Sequence, residues 1–261
     1  MPSGDFGIEN PEMKRRGRSA NLRPRLASAL GLLTQADVLA DVGCDHGYFS
    51  IAALRSGAAK RVIASDISSS SLEKAVRTAS QSGLSERILF RCCDGLSGFA
   101  EGEAQTAALL GMGGELIASI LEKAPAVAHA FERIVMQPMR GEPELRRYLY
   151  ESGYRILDET VVLDSGRWYQ LIAAKFEPGF TMRLPIGWPE NYYQFGPCAF
   201  FKREPELLLM MQRYLSIIEE KLAEAEAKGS APAALLREAE CTKQLIESFP
   251  KANAVEDRNG T

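Results

Sequence analysis

Short apolar runs alternate with helically spaced apolar positions from residue 39 to about residue 177. Runs that end in Gly, Asp or Gln predict buried strands, and three- and four-residue spacing between them predicts amphipathic helices. The predicted strands lie at residues 39–42, 61–67, 88–93, 106–110 and 133–136, and a closing antiparallel hairpin is predicted at residues 155–163 and 168–176. This order predicts an α/β, Rossmann-like fold with a seven-stranded sheet.

The C-terminal part carries a different pattern, in which apolar residues repeat at spacings of three and four. Gly229 and Ser230 separate two such runs, so the pattern predicts a helical hairpin with a coiled-coil seam. The predicted seam consists of Leu208, Met211, Leu215, Ile218, Leu222, Leu235, Ala239, Thr242, Ile246 and Phe249. The spacing leaves open whether the hairpin packs on itself, on the first domain or on another subunit.

These two patterns divide the chain into a larger domain at residues 19–180 and a helical hairpin at residues 190–250. Residues 1–18 are polar and basic, and we expect them to be disordered. The polar tail at residues 251–261 is expected to be loose.

Composition narrows the class of protein. The 261 residues are 46% hydrophobic, which suffices for one large core and a smaller appendage. Because no apolar run is long enough to span a bilayer and no secretory signal begins the chain, we expect a soluble cytoplasmic protein. Five cysteines without a C-x-x-C pair, and only two histidines, argue against a disulfide framework and a metal centre.

The glycine turn after the first strand is the most informative stretch. It contains Asp41, Gly43, Cys44, Asp45, His46 and Gly47. A dinucleotide fingerprint has glycines where backbone approaches a pyrophosphate, and carboxylates there would repel it. The same carboxylates would attract the amine and sulfonium of S-adenosylmethionine. Asp66, at the end of the next strand, has the spacing of a carboxylate that binds ribose hydroxyls. The turn therefore favours S-adenosylmethionine.

Polar residues or glycines also end the other predicted strands. The five strand ends carry Asp41, Asp66, Asp94, Gly111 and Gln137. Since the carboxyl ends of parallel strands meet at one edge of the sheet, where ligands of such folds bind, we expect one continuous site. The structural alternative is that these are ordinary turn and helix-capping residues.

Together these motifs resemble the bacterial tRNA (adenine(22)-N1)-methyltransferases. The resemblance covers about residues 20–248 and is carried by Asn21–Leu26 as the leading helix, Asp41–Tyr48, Asp94–Leu96, Gly111–Gly114, Gln137–Pro138 and Tyr192–Pro197. It implies a class I methyltransferase domain, S-adenosylmethionine as donor and a C-terminal coiled-coil domain that helps to hold tRNA. Two positions depart from the family: Arg23 or Pro24 replaces a serine, and Gly47 replaces an alanine.

The turn chemistry and the resemblance give each candidate residue a role. The cofactor set is Asp41, Gly43, Cys44, His46, Gly47, Asp66, Ile67, Asp94 and Gly95. The catalytic set is Asp45, which would stabilise the methylated base, and Gly111, Met112, Gly113 and Gly114, which would grip the flipped adenine. The substrate set is Arg25, Tyr48, Gln137, Pro138 and Arg140. No metal is expected.

Charge is the evidence against an RNA substrate, because the net charge is −3 and nucleic-acid binders usually present a basic surface. Basic positions that could converge near the site are Lys14, Arg15, Arg16, Arg18, Arg23, Arg25, Arg140, Arg146, Arg147, Lys202 and Arg203. Two alternatives stay open: a methyltransferase acting on another RNA, a protein or a small molecule, and a non-catalytic S-adenosylmethionine- or RNA-binding protein. The glycine turn would look the same in all three.

Overall fold

A mixed sheet forms the centre of the molecule in the computed structural model, which describes residues 22–180 and 192–249. Its strands are β1 (Ala36–Val42), β2 (Ala59–Asp66), β3 (Ile88–Cys92), β4 (Thr106–Met112), β5 (Arg133–Pro138), β6 (Tyr154–Asp164) and β7 (Arg167–Phe176). The order is β3-β2-β1-β4-β5-β7-β6. Strands β1 to β5 are parallel, and β7 is antiparallel to both β5 and β6. The predicted Rossmann-like sheet with a closing hairpin is confirmed.

The helices of the larger domain connect these strands. They are α1 (Pro24–Leu32), α2 (Tyr48–Ser56), α3 (Ser69–Ser82), α4 (Gly114–Lys123), α5 (Pro125–Ala130) and α6 (Glu142–Glu151). Gly57 and Gly83 end α2 and α3 in the left-handed conformation, which glycine adopts without steric cost. The sequence pattern misses α5 because six residues are too few to show a helical period.

Two apolar layers sandwich the sheet. On one face, Ile117 and Leu121 of α4 and Leu145 of α6 pack against alternate residues of β4 and β5. On the other face, α1, α2 and α3 pack against the intervening residues, such as Ala108 and Val135. Burial on both faces explains why the central strands are continuous apolar runs instead of alternating ones.

The C-terminal part comprises α7 (Tyr192–Phe195), α8 (Pro197–Phe201), α9 (Pro205–Ala227) and α10 (Ala233–Ser248). Helices α9 and α10 pack together as the predicted hairpin. Of the predicted seam, Met211, Ile218, Ala239, Thr242 and Phe249 are buried, and Leu208, Leu215, Leu222, Leu235 and Ile246 are half-buried. Leu207 and Met210 are buried as well, because the base of α9 also packs on Val161 of β6. The hairpin therefore closes both on itself and on the first domain.

The C-terminal part also covers the free edge of β6, where unpaired backbone groups would otherwise be exposed. The backbone N–H of Val161 donates to Glu204 Oε2 at 2.9 Å. Lys202 Nζ donates to the carbonyl of Glu159 at 2.7 Å and to Asp158 at 2.7 Å. Side chains from the chain after α8 thus replace the missing neighbouring strand.

A buried ion pair joins α6, the β6–β7 hairpin and the segment ahead of α9. Arg146 Nε lies 2.7 Å from Glu159 Oε1, and both side chains are 1% exposed. The same guanidinium donates to the carbonyl of Tyr193 at 2.7 Å and to Gln170 Oε1 at 2.8 Å. Glu159 Oε2 in turn accepts the backbone N–H of Cys198 at 2.9 Å. The sequence suggests Arg146 as a cation that could converge near the site. The structure instead places it in the interior, where Glu159 neutralises its charge.

Several expectations fall outside the described residues. These are the expectation of disorder for residues 1–18 with their basic run, Asn21 of the leading helix, and the expectation of a loose tail at residues 251–261. Within the described ranges, no helix combines the length and apolar character that a bilayer crossing requires.

We expect Arg146→Met to lower the free energy of unfolding by about 3–5 kcal/mol, because removal of one partner leaves Glu159 charged and buried. Denaturant unfolding of the full chain measures this. Arg155→Met is the matched control: it breaks an exposed pair with Glu177, for which we expect a loss of about 1 kcal/mol or less. Equal, small losses in both variants would contradict the assigned role.

Candidate functional site

The turn between β1 and α2 is tight because three of its residues adopt positive φ angles. Gly43 has φ +72°, Asp45 +46° and Gly47 +73°. The backbone N–H groups of Gly43 and Cys44 both donate to the carbonyl of Ser65 in β2, at 2.8 and 2.9 Å. Glycine adopts this conformation without strain, which explains the glycines on either side of Asp45.

Asp66 organises the cofactor side of the site, defined here as the turn after β1 together with the end of β2. Its Oδ2 accepts the backbone N–H of Asp45 at 3.1 Å, and its Oδ1 accepts that of Ser68 at 2.9 Å. The next residue, Ile67, is 71% exposed, so an apolar side chain flanks the carboxylate. The Asp45 side chain is 69% exposed, and His46 Nε2 lies 3.7 Å from its Oδ1. The structure thus brings Asp45, His46, Asp66 and Ile67 together.

Asp41 lies beneath this surface. It is 3% exposed, and its Oδ2 accepts the hydroxyl of Ser50 in α2 at 2.5 Å. Burial raises the pKa of its carboxyl to about 6, although the Ser50 hydrogen bond acts in the opposite direction. The pKa of the neighbouring buried thiol, Cys44, is also raised, first by burial and then by the charge of Asp41. Both residues therefore support the turn from inside, and direct contact of either with a cofactor stays a prediction.

Gly111 forms a bulge at the end of β4. Leu110 pairs with Gln137 and Met112 with Pro138, so Gly111 is the extra residue, with φ +78°. This is why β4 continues past Leu110, where the apolar run suggests that the strand ends. A bulge re-aims the side chains that follow it. Here Met112 turns toward the glycine turn, where a Cβ on Gly43 would lie 2.3 Å from Met112 Cε.

The end of β4 is bound to the loop after β5. The carbonyl of Met112 accepts the N–H of Met139 at 2.7 Å, and the N–H of Gly114 donates to the carbonyl of Arg140 at 2.8 Å. A Cβ on Gly114 would lie 2.0 Å from the carbonyl oxygen of Gly141. Glycine is therefore required at residue 114 for close approach of two backbones. These groups are engaged inside the protein, and the carbonyl of Gly113 also accepts the N–H of Ile117 at 3.0 Å. Contact of Gly111 and of the Gly113 N–H with a base stays a prediction.

Arg25 organises the acceptor side, defined here as the carboxyl ends of β4 and β5 together with the starts of β7 and α1. Its Nη1 donates to Gln137 Oε1 at 3.0 Å, and its Nε lies 3.7 Å from Asp164 Oδ2. Gln137 is buried, and its Nε2 donates to the carbonyl of Pro138 at 2.7 Å. A Cβ on Gly111 would lie 3.6 Å from Arg25 Nη1. Arg25, Gly111, Gln137 and Pro138 are thus neighbours, and Met112 connects them to the cofactor side.

The remaining predicted residues lie at neighbouring strand ends and turns. Asp94 is exposed just after β3, whose last residue, Cys92, pairs with Asp66. Gly95 packs against Ile120 of α4. Tyr48 is exposed and meets His46 edge to face at a centroid distance of 5.8 Å. The Arg140 side chain is exposed beside the β5 loop. Among the described residues, no three His, Cys, Asp or Glu side chains are grouped as a metal site.

Sequence reasoning missed Ser50, Arg167 and Tyr169. Ser50 is the hydroxyl donor to Asp41. Arg167 and Tyr169 belong to the start of β7 and adjoin Arg25. The sequence shows residues 164–167 only as a hairpin turn, and nothing in that pattern relates them to α1.

Five parallel strands, an antiparallel closing hairpin and an acidic glycine turn at the end of the first strand define a methyltransferase-type Rossmann domain. A family model described as a methyltransferase domain matches residues 22–172. The chain belongs to this family.

Similar proteins include the tRNA (adenine(22)-N(1))-methyltransferase of Bacillus subtilis strain 168, which is 33% identical over 154 residues. That alignment covers 59% of this chain, and the chain spans 65% of the length of that relative. The crystal structure of the Bacillus subtilis m1A22 tRNA methyltransferase TrmK is 25% identical, with a TM-score of 0.72 and coverage of 86% and 98% of the two chains. Streptococcus pneumoniae Sp1610 in complex with S-adenosyl-L-methionine is 27% identical, with a TM-score of 0.73 and coverage of 85% and 98%.

The raised pKa of Asp41 predicts a pH-dependent stability. The Asp41 carboxyl has a pKa of about 6 in the folded chain and an ordinary value of 3.8 in the unfolded chain, so the folded chain binds this proton more tightly. The contribution of this proton to the free energy of unfolding is therefore complete below pH 3.8 and is lost as the pH rises through about 6. We expect the stability of Asp41→Asn relative to wild type to rise by up to about 3 kcal/mol from about pH 4 to pH 7.

Denaturant unfolding over this pH range measures that difference. Asp37→Asn is the control, because Lys60 lowers the pKa of the exposed Asp37 carboxyl and the pH effect should have the opposite sign. A pH-independent difference between wild type and Asp41→Asn would contradict the prediction.

Proposed function

We propose that this protein transfers a methyl group from S-adenosylmethionine to N1 of adenosine 22 in the D arm of tRNA. The observation that carries the proposal is that Met112 lies between the acidic glycine turn and the hydrogen-bonded pair of Arg25 and Gln137. It offers a cofactor side and an acceptor side at one edge of the sheet. The similarity to the m1A22 methyltransferases of Bacillus subtilis supports the choice of acceptor.

The residues on the cofactor side suit S-adenosylmethionine. Gly43 has a positive φ, and among the described residues the only atoms near the position of a Cβ there belong to the flexible end of Met112, so glycine leaves its backbone open to close approach of a ligand. Asp66 would hold the ribose hydroxyls, the exposed Ile67 would cover one face of the adenine, and Asp94 would accept from its amino group. Three carboxylates, Asp45, Asp66 and Asp94, suit a cationic ligand without phosphates. Asp41 would support the turn from beneath.

Bound S-adenosylmethionine supplies a methyl group activated on a sulfonium. Because N1 of adenine carries a free lone pair at neutral pH, the chain has to position the base and does not have to deprotonate it. Gly111 and Gly113 would hold the flipped base beside Met112. The buried Gln137 amide, engaged by Arg25 and by the carbonyl of Pro138, would support the acceptor side from beneath. Methylation leaves a positive charge on the base, and the exposed Asp45 carboxylate would stabilise it.

A tRNA acceptor must be attracted by local charge, because the whole chain is acidic. Arg23, Arg140, Arg147 and Arg167 are exposed on the larger domain. Helices α9 and α10 instead carry eight acidic and four basic residues, which favours an acceptor other than RNA as the second candidate. With tRNA as substrate, the proposed location is the cytoplasm.

The direct test is transfer of labelled methyl from S-adenosylmethionine to unmodified tRNA, with nucleoside mass spectrometry and mapping of the modified position. The control is the same tRNA with guanosine at position 22. The proposal requires N1-methyladenosine in the D arm of the first tRNA and no label in the second. Cofactor binding without methylation of any tRNA would reject it and would favour a different acceptor or a non-catalytic role.

We expect Gly43→Ala to weaken S-adenosylmethionine binding about tenfold, because the new Cβ would cover backbone that the ligand approaches and would displace the end of the Met112 side chain at the cofactor side. Gly57→Ala is the matched control. Its φ of +78° imposes the same backbone strain, but no atom lies within 4 Å of its Cβ. Calorimetric titration measures both, and equal affinities in the two variants would contradict the prediction.

We expect Asp45→Asn to reduce the methyl-transfer rate about 10- to 100-fold and to weaken cofactor binding less than that, because the substitution removes the charge near the base. Asparagine tolerates a positive φ, so the turn should keep its conformation. Asp94→Asn should show the reverse pattern, a weaker cofactor affinity at a similar maximal rate. Single-turnover kinetics separate the two effects, and an unchanged rate in Asp45→Asn would remove this assignment.

A further inference from the structure

Arg167 is an exposed cation at the rim of the acceptor side. It begins β7, which runs antiparallel to β5 with Met136 opposite Ile172. The start of β7 therefore lies at the same edge of the sheet as the carboxyl end of β5. A hydrogen bond from Arg167 Nη2 to the carbonyl of Met139 confirms this proximity.

Tyr169 lies between Arg167 and the residues that hold Gln137. The Arg167 guanidinium is 5.4 Å from the Tyr169 ring centroid, and that of Arg25 is 5.9 Å from the same centroid. Cations at such distances are attracted by the negative face of an aromatic ring. One ring thus fixes two guanidinium groups, of which Arg25 also contacts Gly111 and Gln137.

The two arginines differ in how their charge is compensated. Arg25 lies near the buried Asp164, with 3.7 Å between Arg25 Nε and Asp164 Oδ2. Within residues 22–180 and 192–249, no carboxylate oxygen comes within 4.0 Å of the Arg167 guanidinium. The cluster of Arg25, Asp164 and Arg167 therefore has a net positive charge, and that charge is on the exposed member.

We propose that Arg167 binds a phosphodiester of the substrate RNA next to the target nucleoside, and that Tyr169 is its positioning residue. This inference rests on the proposed function. A guanidinium has five N–H donors in a planar fork that matches phosphate, and the contact with Met139 uses one of them. A phosphate held there would set the register of the strand, so that the adjacent base enters beside Gly111 and Gln137.

The test compares Arg167→Ala and Arg167→Lys with Arg55→Ala, in full-length protein. Arg55 is an exposed arginine in the last turn of α2, at the opposite edge of the sheet, so its removal makes the same change in charge away from the site. For Arg167→Ala we expect KM for tRNA to rise about 5- to 20-fold, and the slope of log affinity against log salt to fall by about one. The maximal rate and S-adenosylmethionine affinity should stay within about twofold, and Arg167→Lys should recover part of the loss because it restores charge without the fork.

Tyr169 is tested by Tyr169→Phe and Tyr169→Leu. The phenylalanine variant keeps the ring and should retain the wild-type KM for tRNA. The leucine variant loses the ring and should raise this KM toward the value of Arg167→Ala, without an additive effect in the double variant.

The outcomes separate this inference from the proposed function. If wild type methylates tRNA but Arg167→Ala behaves like Arg55→Ala, the phosphate site is wrong and the function stands. A loss of S-adenosylmethionine affinity equal to the loss of tRNA affinity would also overturn it, because that result indicates a structural role. If wild type neither binds nor methylates tRNA, the proposed function fails, and the phosphate site fails with it.

Discussion

The buried ion pair between Arg146 and Glu159 fixes how the two parts of the molecule are joined. Removing two charges from water is costly, and the cost is offset only when the remaining donors and acceptors are also satisfied. Arg146 meets this condition by donating to Gln170 and to the carbonyl of Tyr193, and Glu159 by accepting from Cys198. Because Tyr193 and Cys198 precede the helical hairpin, the ion pair is fully satisfied only when the base of that hairpin is docked.

The same helix connects this joint to the acceptor side. Gly141 precedes α6, and its carbonyl lies so close to Gly114 that a Cβ there would be 2.0 Å from the oxygen. Two hydrogen bonds, Met139 to Met112 and Gly114 to Arg140, then fasten the β5 loop to the end of β4. Arg146 fixes α6 near its middle, and the contacts ahead of its first residue therefore also help to place the Gly111 bulge and Met112. Stability of the joint and geometry of the site are properties of one connected structure.

The sequence was sufficient for features that depend on neighbouring residues. Buried parallel strands are recognisable as apolar runs, the helical hairpin by its spacing, and the turn after β1 by its glycines and acids. It was insufficient for side-chain pairs that the topology creates, such as Arg25 with Gln137, which are 112 residues apart. Arg146 shows the same limit, since an arginine on a polar helix suggests a solvated cation until its partner on β6 is known. The Gly111 bulge is a case between the two, because its glycine is visible in the sequence but its register shift depends on pairing with β5.

The distribution of charge constrains how an RNA acceptor could approach. A phosphate backbone is repelled by α9 and α10, whose acidic residues outnumber their basic residues eight to four. Attraction is available at the carboxyl edge of the sheet, where Arg140 and Arg167 are exposed. Since the base of the hairpin is joined to α6 and β6 through Arg146 and Glu159, the acidic helices have a fixed position relative to the sheet. For a tRNA acceptor, the arginines of the sheet edge would supply the attraction. The acidic hairpin would repel the phosphate backbone and so restrict the orientations in which the RNA can approach.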